Sequence, residues 1–415
     1  MRIAIVGAGI GGLATALSLE AAGFRDIAVY ERSDRIRGLE VGINLLPHAV
    51  RELTELGLGA RVAELGTAPS TLSYHNRFGQ RIWSEPRGRD AGYRWPQLSV
   101  HRGRLQLALA DAVRERIGDC VRLGHRLVAV ADGDGRATAT FRTEHGEADV
   151  EADVLIGADG IHSSLRALRY PDEGAPPWSG LTLWRGTAVI PAFLDGRTMI
   201  MAGDGEQKFV AYPLSPPGAD GRQRVNFIAE RAGAGARDAD WNRAVDPAPI
   251  VELFTDWRFD WLDVAATIGA AEEILEYPMV DRDALPRWTF GRTTLLGDAA
   301  HAMYPNGSNG ASQAILDART LAHRLATEAT VEDALEAYEQ ARRPATAALL
   351  ELTRRTGPER VMLLARERAP HGFDDVEKVI PRAEREQIAA EYKHAAGFHP
   401  DALNERSSLT VRLGR

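Results

Sequence analysis

The first thirty residues alternate between short apolar runs and glycine-rich breaks. Residues 2–6 are rich in β-branched side chains, and residues 7–12, which contain four glycines, follow at once. Residues 13–22 are apolar and end at Gly23, and a second apolar run over residues 27–30 ends at Glu31. The pattern predicts a strand, a glycine turn, a helix and a second strand.

Longer elements follow. Residues 49–56 and 102–117 carry apolar side chains at helical spacing, which predicts two amphipathic helices. Residues 127–130 and 137–142 have strand composition, and the Asp-Gly-Asp-Gly sequence at 132–135 between them is a strong hairpin signal.

The second half of the chain changes character. Residues 180–230 are rich in Thr, Val, Phe, Met and Tyr and lack a long helical pattern, so we predict an antiparallel sheet inserted into the chain. A strand returns at residues 293–296, and helices follow through about residue 350. We expect poor order beyond His399, because chain termini are ordered only where something holds them.

Composition narrows the class of protein. The 415 residues are 44% hydrophobic, with 50 basic and 58 acidic side chains and a net charge of −8. This excludes disorder as the main state and makes nucleic acid and anionic membranes poor partners. The single cysteine, Cys120, cannot form an intrachain disulfide, so we expect a cytoplasmic protein.

The glycine turn has the spacing of a dinucleotide-binding motif. Gly7 allows the tight turn, Gly9 lets the backbone approach a pyrophosphate, and Gly12 lets the helix pack closely on the strand. Glu31 is placed to accept hydrogen bonds from ribose hydroxyls, which favours FAD or NAD over NADP. The alternative is a glycine-rich turn without a ligand.

Two later loops repeat this arrangement. An apolar strand leads to Asp159 beside Gly157 and Gly160, with Ser163 as a helix N-cap, and a second leads to Asp298 beside Gly297. Three strand ends that carry an acid and glycines indicate one long ligand across the carboxyl edge of one sheet. Alternatively, Asp159 and Asp298 only cap turns.

Together these motifs carry a family resemblance. Gly7-x-Gly9-x-x-Gly12 with Glu31, the segment 157–166, and the segment 297–311 resemble those of the single-component FAD-dependent aromatic hydroxylases, the family of para-hydroxybenzoate and salicylate hydroxylases. Residues 41–44, 83–88, 184–186 and 277–282 look closest to the branch that hydroxylates methylated phenazine carboxylate. The substrate itself is left open.

The resemblance implies a fold and a domain division. It implies an α/β protein with a Rossmann-like FAD-binding domain, an inserted antiparallel-sheet substrate domain and C-terminal helices. The FAD-binding domain is expected at 1–75, 98–178 and 282–350, and the substrate domain at 76–97 and 179–281. Residues 351–415 are expected to form a C-terminal helical segment and tail.

The resemblance also implies tightly bound, non-covalent FAD and the residues that bind it. The loop 307–311 is expected to place backbone N–H groups against the flavin ring, where a helix N-terminus favours the anion of the reduced flavin. The candidate FAD residues are Gly7, Gly9, Ile10, Gly11, Gly12, Glu31, Arg32, Val41, Gly42, Arg102, Val128, Asp159, Asp298, Gly307, Ser308, Asn309, Gly310 and Ala311.

The chemistry implied by the family needs no metal and no catalytic triad. NAD(P)H, a transient co-substrate, reduces the flavin; O₂ then forms a C4a-hydroperoxide, whose distal oxygen is transferred to a small aromatic substrate. The only other glycine-rich candidate for a nicotinamide fold, residues 231–238, has Asp238 where the third glycine belongs, so we interpret it as a loop. Either a monomer or a homodimer is compatible with the sequence.

The substrate pocket is expected between the flavin loop and the inserted sheet. The candidates, mostly aromatic or sulfur-containing, are Trp184, Arg185, Met199, Met201, Phe209, Tyr212, Phe227, Tyr304 and Pro305. Alternating aromatics on a strand are more often core, and Arg185 binds either a substrate carboxylate or a surface acid. The Pro305 carbonyl and His48 are tentative catalytic groups, with helix start as the alternative for His48, whereas His301 is expected to be structural.

Two other functions fit parts of this pattern. One is a flavin-dependent oxidoreductase that does not transfer oxygen. The other is a non-catalytic binding protein on the same scaffold, like the GDP-dissociation inhibitors. Retention of both Glu31 and Asp298 disfavours the second.

Overall fold

The computed structural model describes residues 1–38, 40–233, 243–355, 359–395 and 399–411. Its strands are β1 (Arg2–Val6), β2 (Asp26–Tyr30), β3 (Gly42–Leu45), β4 (Gly66–Thr67), β5 (Thr71–His75), β6 (Arg81–Pro86), β7 (Leu98–His101), β8 (Val121–Arg122), β9 (Arg126–Gly133), β10 (Arg136–Thr143), β11 (Gly146–Ala152), β12 (Val154–Gly157), β13 (Trp178–Pro191), β14 (Thr198–Gly203), β15 (Gln207–Pro213), β16 (Arg222–Ala232), β17 (Arg243–Ala244), β18 (Arg258–Phe259), β19 (Leu262–Asp263), β20 (Ala271–Val280) and β21 (Thr293–Leu295).

Helices occupy much of the remaining chain. They are α1 (Ile10–Ala21), α2 (Pro47–Glu55), α3 (Gly59–Ala63), α4 (Arg102–Ile117), α5 (Ser164–Arg169), α6 (Ala248–Leu253), α7 (Val264–Gly269), α8 (Asp298–His301), α9 (Gly310–Thr327), α10 (Val331–Arg354), α11 (Arg360–Arg368), α12 (Val376–Val379), α13 (Arg382–Ala395) and α14 (Pro400–Glu405), with a 3₁₀ turn at Gly88–Ala91. None of the helices within the described ranges is long and apolar enough to cross a membrane.

A parallel sheet in the order β21-β12-β1-β2-β8 forms the centre of the first unit. Its inner strands are apolar on both faces because α1 packs against β1 and β2, and the three-stranded sheet β11-β10-β9 packs against β1 and β12. Val6, Gly157 and Leu295 lie side by side in register at the carboxyl ends of β1, β12 and β21. The three glycine loops therefore leave one edge of one sheet, and the predicted α/β architecture is confirmed.

An eight-stranded sheet in the order β17-β20-β13-β16-β15-β14-β5-β6 forms the second unit. Its pairs are antiparallel except β14 with β5, which is parallel. One face packs on α11 and α13, and the other packs on α6 and α7. The boundary predicted at residue 75 is wrong, because β5 pairs with β14 and β6 and so belongs to this sheet.

Three further sequence expectations have mixed outcomes. The predicted hairpin is present, as β9 and β10 pair antiparallel around residues 134–135. Residues 234–238 of the predicted glycine loop lie outside the described residues. The expectation of poor order beyond His399 is wrong for residues 399–411. There the Leu403 carbonyl accepts from Arg51 (3.0 Å), and the Thr410 hydroxyl accepts from Arg319 (3.0 Å), so buried arginines hold this segment.

Candidate functional site

Three glycines of the first turn differ in what a side chain at their position would meet. Gly7 has φ +105°, and a Cβ there would lie 2.5 Å from the Ala158 carbonyl oxygen. A Cβ on Gly12 would lie 1.9 Å from the Gly7 carbonyl oxygen, so helix α1 approaches β1 as closely as glycine allows. A Cβ on Gly9 would meet nothing within 4 Å, because this residue borders an open cleft.

That cleft, here called the edge cleft, runs along the carboxyl ends of the parallel strands. One part is lined by Gly7, Gly9, Glu31 and Arg32, and the next part by Gly9, Ile10, Gly11, Arg102, Asp298, Gly310 and Ala311. The second part shares Arg185, Asp298, Gly310 and Ala311 with a cavity under the large sheet, here called the inner cavity. The continuous shape suits one long ligand.

Glu31 is held by the backbone at one end of the edge cleft. One carboxylate oxygen accepts from the Ala8 N–H (2.9 Å) and the other accepts from the Ser33 N–H (2.9 Å). Each oxygen can accept a further hydrogen bond, which is what a ribose diol requires. On β9, Arg126 and Leu127 line the cleft, and contact of the next residue, Val128, with FAD stays a prediction.

Asp159 combines both roles considered for it. Its carboxylate accepts from the Ser164 N–H (2.7 Å) and the Leu165 N–H (3.4 Å), so it caps helix α5, as Ser163 also does by accepting from Arg166 (2.9 Å). Asp159 also lines the edge cleft, and burial raises the pKa of its carboxyl. The turn-capping alternative therefore holds for Asp159 without removing it from the cleft.

Arg102 and Asp298 face each other across the middle of the edge cleft. Burial lowers the pKa of Arg102, and the nearby Asp298 carboxylate opposes that shift. Val41 and Gly42 support this region from behind: the Val41 carbonyl accepts from the Arg102 N–H (2.8 Å), and the Gly42 N–H donates to Asn226 (2.6 Å). Val41 and Gly42 thus position Arg102 and Asn226, and their predicted contact with FAD stays a prediction.

The loop before α9 supplies the far end of the edge cleft. Gly307 and Ser308 both have positive φ, +78° and +61°, which turns the chain so that α9 starts at the cavity wall. Ser308, Asn309, Gly310 and Ala311 line the inner cavity. The N-terminus of this 18-residue helix therefore presents its free N–H groups and partial positive charge there.

The inner cavity lies against one face of the large sheet. Its sheet-borne lining includes Arg185, Met199, Met201 and Tyr212, all named from the sequence, and Pro305 closes it from the loop side. Tyr304 lines an adjoining space, here called the side cavity.

The prediction that Trp184, Phe209 and Phe227 line the substrate pocket is wrong. Their side chains belong to the hydrophobic cluster on the opposite face of the sheet, against α6 and α7. Side chains on a strand alternate between faces, so placing Arg185 in the cavity turns Trp184 away from it. Trp184 instead donates to Glu276 (2.9 Å), and Phe209 and Phe227 stack on each other with centroids 5.9 Å apart.

Arg185 is the basic side chain at the junction of edge cleft and inner cavity. It donates to the Gly42 carbonyl (2.8 Å) and lies over the Tyr277 ring at 5.9 Å. Burial raises the pKa of Tyr212 to about 12, against the opposing effect of Arg185. An arginine fixed by a backbone carbonyl and two tyrosines is a ready partner for a planar anion.

His48 and His301 lie on the other side of the loop. His48 lines a separate pocket with Gly307 and is buried at the start of α2, and burial, aided by Arg342 and Arg406, lowers its pKa to about 3. His48 is therefore neutral near pH 7, which fits the helix-start alternative as well as a pocket role. His301 bonds to Asp317 (2.6 Å), the structural role expected for it.

Sequence reasoning missed a buried charged cluster. Lys208 lies between Glu230 and Glu359, and both glutamates line the inner cavity and the side cavity. The signal was present in the strand period, since Lys208 shares its face with Val210 and Tyr212, and Glu230 shares its face with Ile228. A charged residue at a buried strand position marks a functional candidate.

Comparison with known proteins fits this geometry. Residues 1–353 match the family model described as FAD binding domain. The chain is 44% identical over 370 residues to phenazine 1,6-dicarboxylic acid hydroxylase of Lysobacter antibioticus, covering 85% of this chain and 89% of that protein. It is 30% identical over 397 residues to salicylate hydroxylase of Pseudomonas putida, covering 86% and 85%.

Among solved structures, Klebsiella pneumoniae HpxO complexed with FAD and uric acid superimposes with a TM-score of 0.74 at 24% identity, covering 97% of this chain and 96% of that one. That likeness concerns the fold. The family model, the two hydroxylases and the motif-bearing edge cleft lead to one assignment: the chain belongs to the family of FAD-binding aromatic hydroxylases.

Proposed function

We propose that FAD occupies the edge cleft with its ring system at the inner cavity. Glu31 would bind the adenosine ribose, and Gly9 would give the pyrophosphate room beside the N-terminus of α1. Arg102 and Asp298 would hold the middle of the cofactor, and residues 307–311 would lie against the ring. The open space at the Gly9 Cβ position and the two backbone-fixed oxygens of Glu31 support this assignment.

We further propose that the substrate is an aromatic or fused-ring carboxylic acid, of phenazine-like or salicylate-like type, hydroxylated with NAD(P)H and O₂. FAD supplies the oxygen-activating chemistry when bound. The protein's part is to hold the ring in the inner cavity, and Arg185 carries the proposal. It lies beside Met199, Met201 and Tyr212 in the lining of the inner cavity, where it can bind one carboxylate. The two relatives, a phenazine dicarboxylic acid hydroxylase and a salicylate hydroxylase, both act on aromatic acids according to their names, which supports an acid substrate.

Oxygen transfer is tested by substrate-stimulated NADH and NADPH oxidation with phenazine-1-carboxylate, phenazine-1,6-dicarboxylate and salicylate. We expect at least one acid to accelerate oxidation and to yield a hydroxylated product that carries ¹⁸O from labelled O₂. Accelerated oxidation that yields only hydrogen peroxide or a reduced substrate would instead support an oxidoreductase that does not transfer oxygen.

Replacing Arg185 with glutamine is expected to lower kcat/KM for an acid substrate by about 10- to 100-fold, because a charge-assisted hydrogen bond in a partly buried site is lost. The methyl ester of the same acid should lose much less, since it brings no anion. Steady-state kinetics on the acid and ester measure this difference. Arg243→Gln is the matched control, because Arg243 is 61% exposed and pairs with Glu276 at the sheet edge. Equal losses for acid and ester would contradict the assignment.

A further inference from the structure

One wall of the inner cavity carries an ionic cluster that the proposed binding of FAD and a carboxylate does not use. Lys208 on β15 and Glu230 on β16 are direct cross-strand partners, and Glu359 precedes α11. The Lys208 ammonium is 2.9 Å from a Glu230 oxygen and 2.6 Å from a Glu359 oxygen. The three side chains are only 6%, 5% and 12% exposed.

The cluster presents acid, not base, to the inner cavity. Glu230 and Glu359 line both the inner and the side cavity, whereas Lys208 is among the lining residues of the side cavity alone. With both glutamates ionised, one ammonium between two carboxylates leaves a net charge of −1; burial raises the pKa of Glu230, and Lys208 opposes that shift. Burial lowers the pKa of Lys208, but the two carboxylates outweigh this and raise it, so Lys208 stays charged and cannot neutralise both acids.

Glu230, on the acidic wall formed with Glu359, and Arg185, the proposed anion site, are close to each other in the sheet. Arg185 on β13 lies opposite Ile228 on β16, and Glu230 is two residues further along β16 on the same face. Diagonal neighbours of this kind have Cα atoms roughly 7–8 Å apart. The cavity therefore offers a cation and a carboxylate on neighbouring strands of one sheet face, with Met199, Met201 and Val210 as apolar surroundings.

The charges of Arg185 and Glu230 together favour aromatic acids with particular substituents. A carboxylate placed near Arg185 leaves the neighbouring part of the ring close to Glu230. A hydroxyl, amino or ring N–H group there would donate to the Glu230 carboxylate, whereas a second carboxylate would meet two buried anions and lose its hydration without gaining a partner. Specificity would thus come from an attractive and a repulsive contact at the same residue.

We infer that Glu230 is a specificity-determining residue of this hydroxylase, selecting aromatic monocarboxylic acids that carry a hydrogen-bond donor near the carboxylate and rejecting dicarboxylic acids. The inference rests on the proposed function of Arg185 as the carboxylate partner. Glu230, held by Lys208 and next to Glu359, would distinguish a substrate that carries a hydrogen-bond donor from one that carries a second carboxylate.

The test is ligand binding to the FAD-loaded enzyme without NAD(P)H, followed by the change in flavin absorbance. The probes are benzoate, 3-hydroxybenzoate and isophthalate, which share a ring and differ in one substituent, with phenazine-1-carboxylate and phenazine-1,6-dicarboxylate as the larger pair. In the wild type we expect 3-hydroxybenzoate to bind most tightly and isophthalate at least about 10-fold more weakly, with the phenazine diacid weaker than the monoacid.

Glu230→Gln should reduce the ratio of the isophthalate Kd to the 3-hydroxybenzoate Kd by about 10-fold, because the amide removes the repelling charge and can donate to the second carboxylate. Glu276→Gln is the matched control, since Glu276 belongs to the same sheet but bonds to Trp184 on its opposite face, and it should keep the wild-type ratio. If Glu230→Gln does not retain FAD, Glu359→Gln removes charge from the same wall and should shift the ratio in the same direction.

The outcomes separate the two claims. Diacids that bind the wild type as tightly as the monoacids, or a ratio that neither glutamine variant changes, overturn the inference and leave Arg185 as the anion site. Failure of all five acids to bind would overturn the proposed acid-binding function and the inference with it.

Discussion

Replacing Asp317 with asparagine is expected to lower the free energy of unfolding by about 3 kcal/mol or more. Asp317 is fully buried, and its carboxylate accepts from Arg342 (2.7 Å) and from the Gly297 N–H (3.0 Å) and bonds to His301 (2.6 Å). The amide keeps the shape but leaves the buried Arg342 guanidinium without its counter-charge. Urea denaturation of the two proteins measures the difference.

The control is the same change at the surface. Asp111 pairs with Arg114 on α4, with side chains 52% and 76% exposed, so Asp111→Asn should change stability by less than about 0.5 kcal/mol. A loss at Asp317 no larger than that at Asp111 would show that the buried network contributes little to stability.

The same network predicts acid sensitivity. Burial alone would raise the pKa of Asp317, but His301 and Arg342 outweigh it and lower the pKa to about 2, below its ordinary value of 3.8. A depressed carboxyl pKa stabilises the fold above the unfolded-state value, and that stabilisation is lost as pH falls from about 4 towards 2. The shift corresponds to about 2 kcal/mol, and Asp317→Asn should remove this part of the pH dependence.

The position of Asp317 connects stability to the site. It lies on α9, whose first residues line the inner cavity, and it holds Gly297, which precedes Asp298 at the edge cleft. Loosening this contact should weaken flavin binding as well as the fold. Flavin retained per protein on gel filtration would therefore fall together with stability.

The parallel unit was predictable because its signals are local. A strand, a glycine turn, a helix and an acid at fixed spacing must fold as one supersecondary unit, and three such strand ends can share a ligand only on one sheet edge. The structure brings Glu31, Asp159 and Asp298 to that edge, as the spacing indicated.

The substrate cavity was less predictable because composition does not determine which alternate side chains of a strand face the cavity. The segment 180–230 was identified as a sheet, but which of Trp184 and Arg185 faces the cavity depends on packing from distant helices. Those helices, α11 and α13 on one face and α6 and α7 on the other, come from later in the chain. The order of residues 399–411 likewise depends on Arg51 and Arg319, which lie 352 and 91 positions before the residues they bind.

Replacing Gly12 with alanine is expected to give protein without flavin and with clearly reduced stability. The added Cβ would lie 1.9 Å from the Gly7 carbonyl oxygen, a backbone atom that cannot move without displacing β1 from α1. Overpacking against backbone costs about 1–3 kcal/mol or more, and the displaced turn would no longer present its N–H groups to a pyrophosphate. Flavin absorbance per protein and thermal unfolding measure the two effects.

Gly9→Ala separates cofactor contact from packing, because a Cβ on Gly9 would stand in open space, whereas one on Gly12 would meet the backbone. A Cβ on Gly9 meets nothing within 4 Å, and the residue's φ of −75° suits alanine, so the apoprotein should keep its stability to within about 1 kcal/mol. The methyl group would nevertheless stand where the proposed pyrophosphate approaches the backbone, and FAD affinity should fall by about 100-fold or more. Titration of apoprotein with FAD, alongside unfolding of the same apoprotein, reads both quantities. Unchanged FAD affinity in Gly9→Ala would move the pyrophosphate away from this turn, whereas equal destabilisation by both substitutions would mean that Gly9, like Gly12, is present for packing alone.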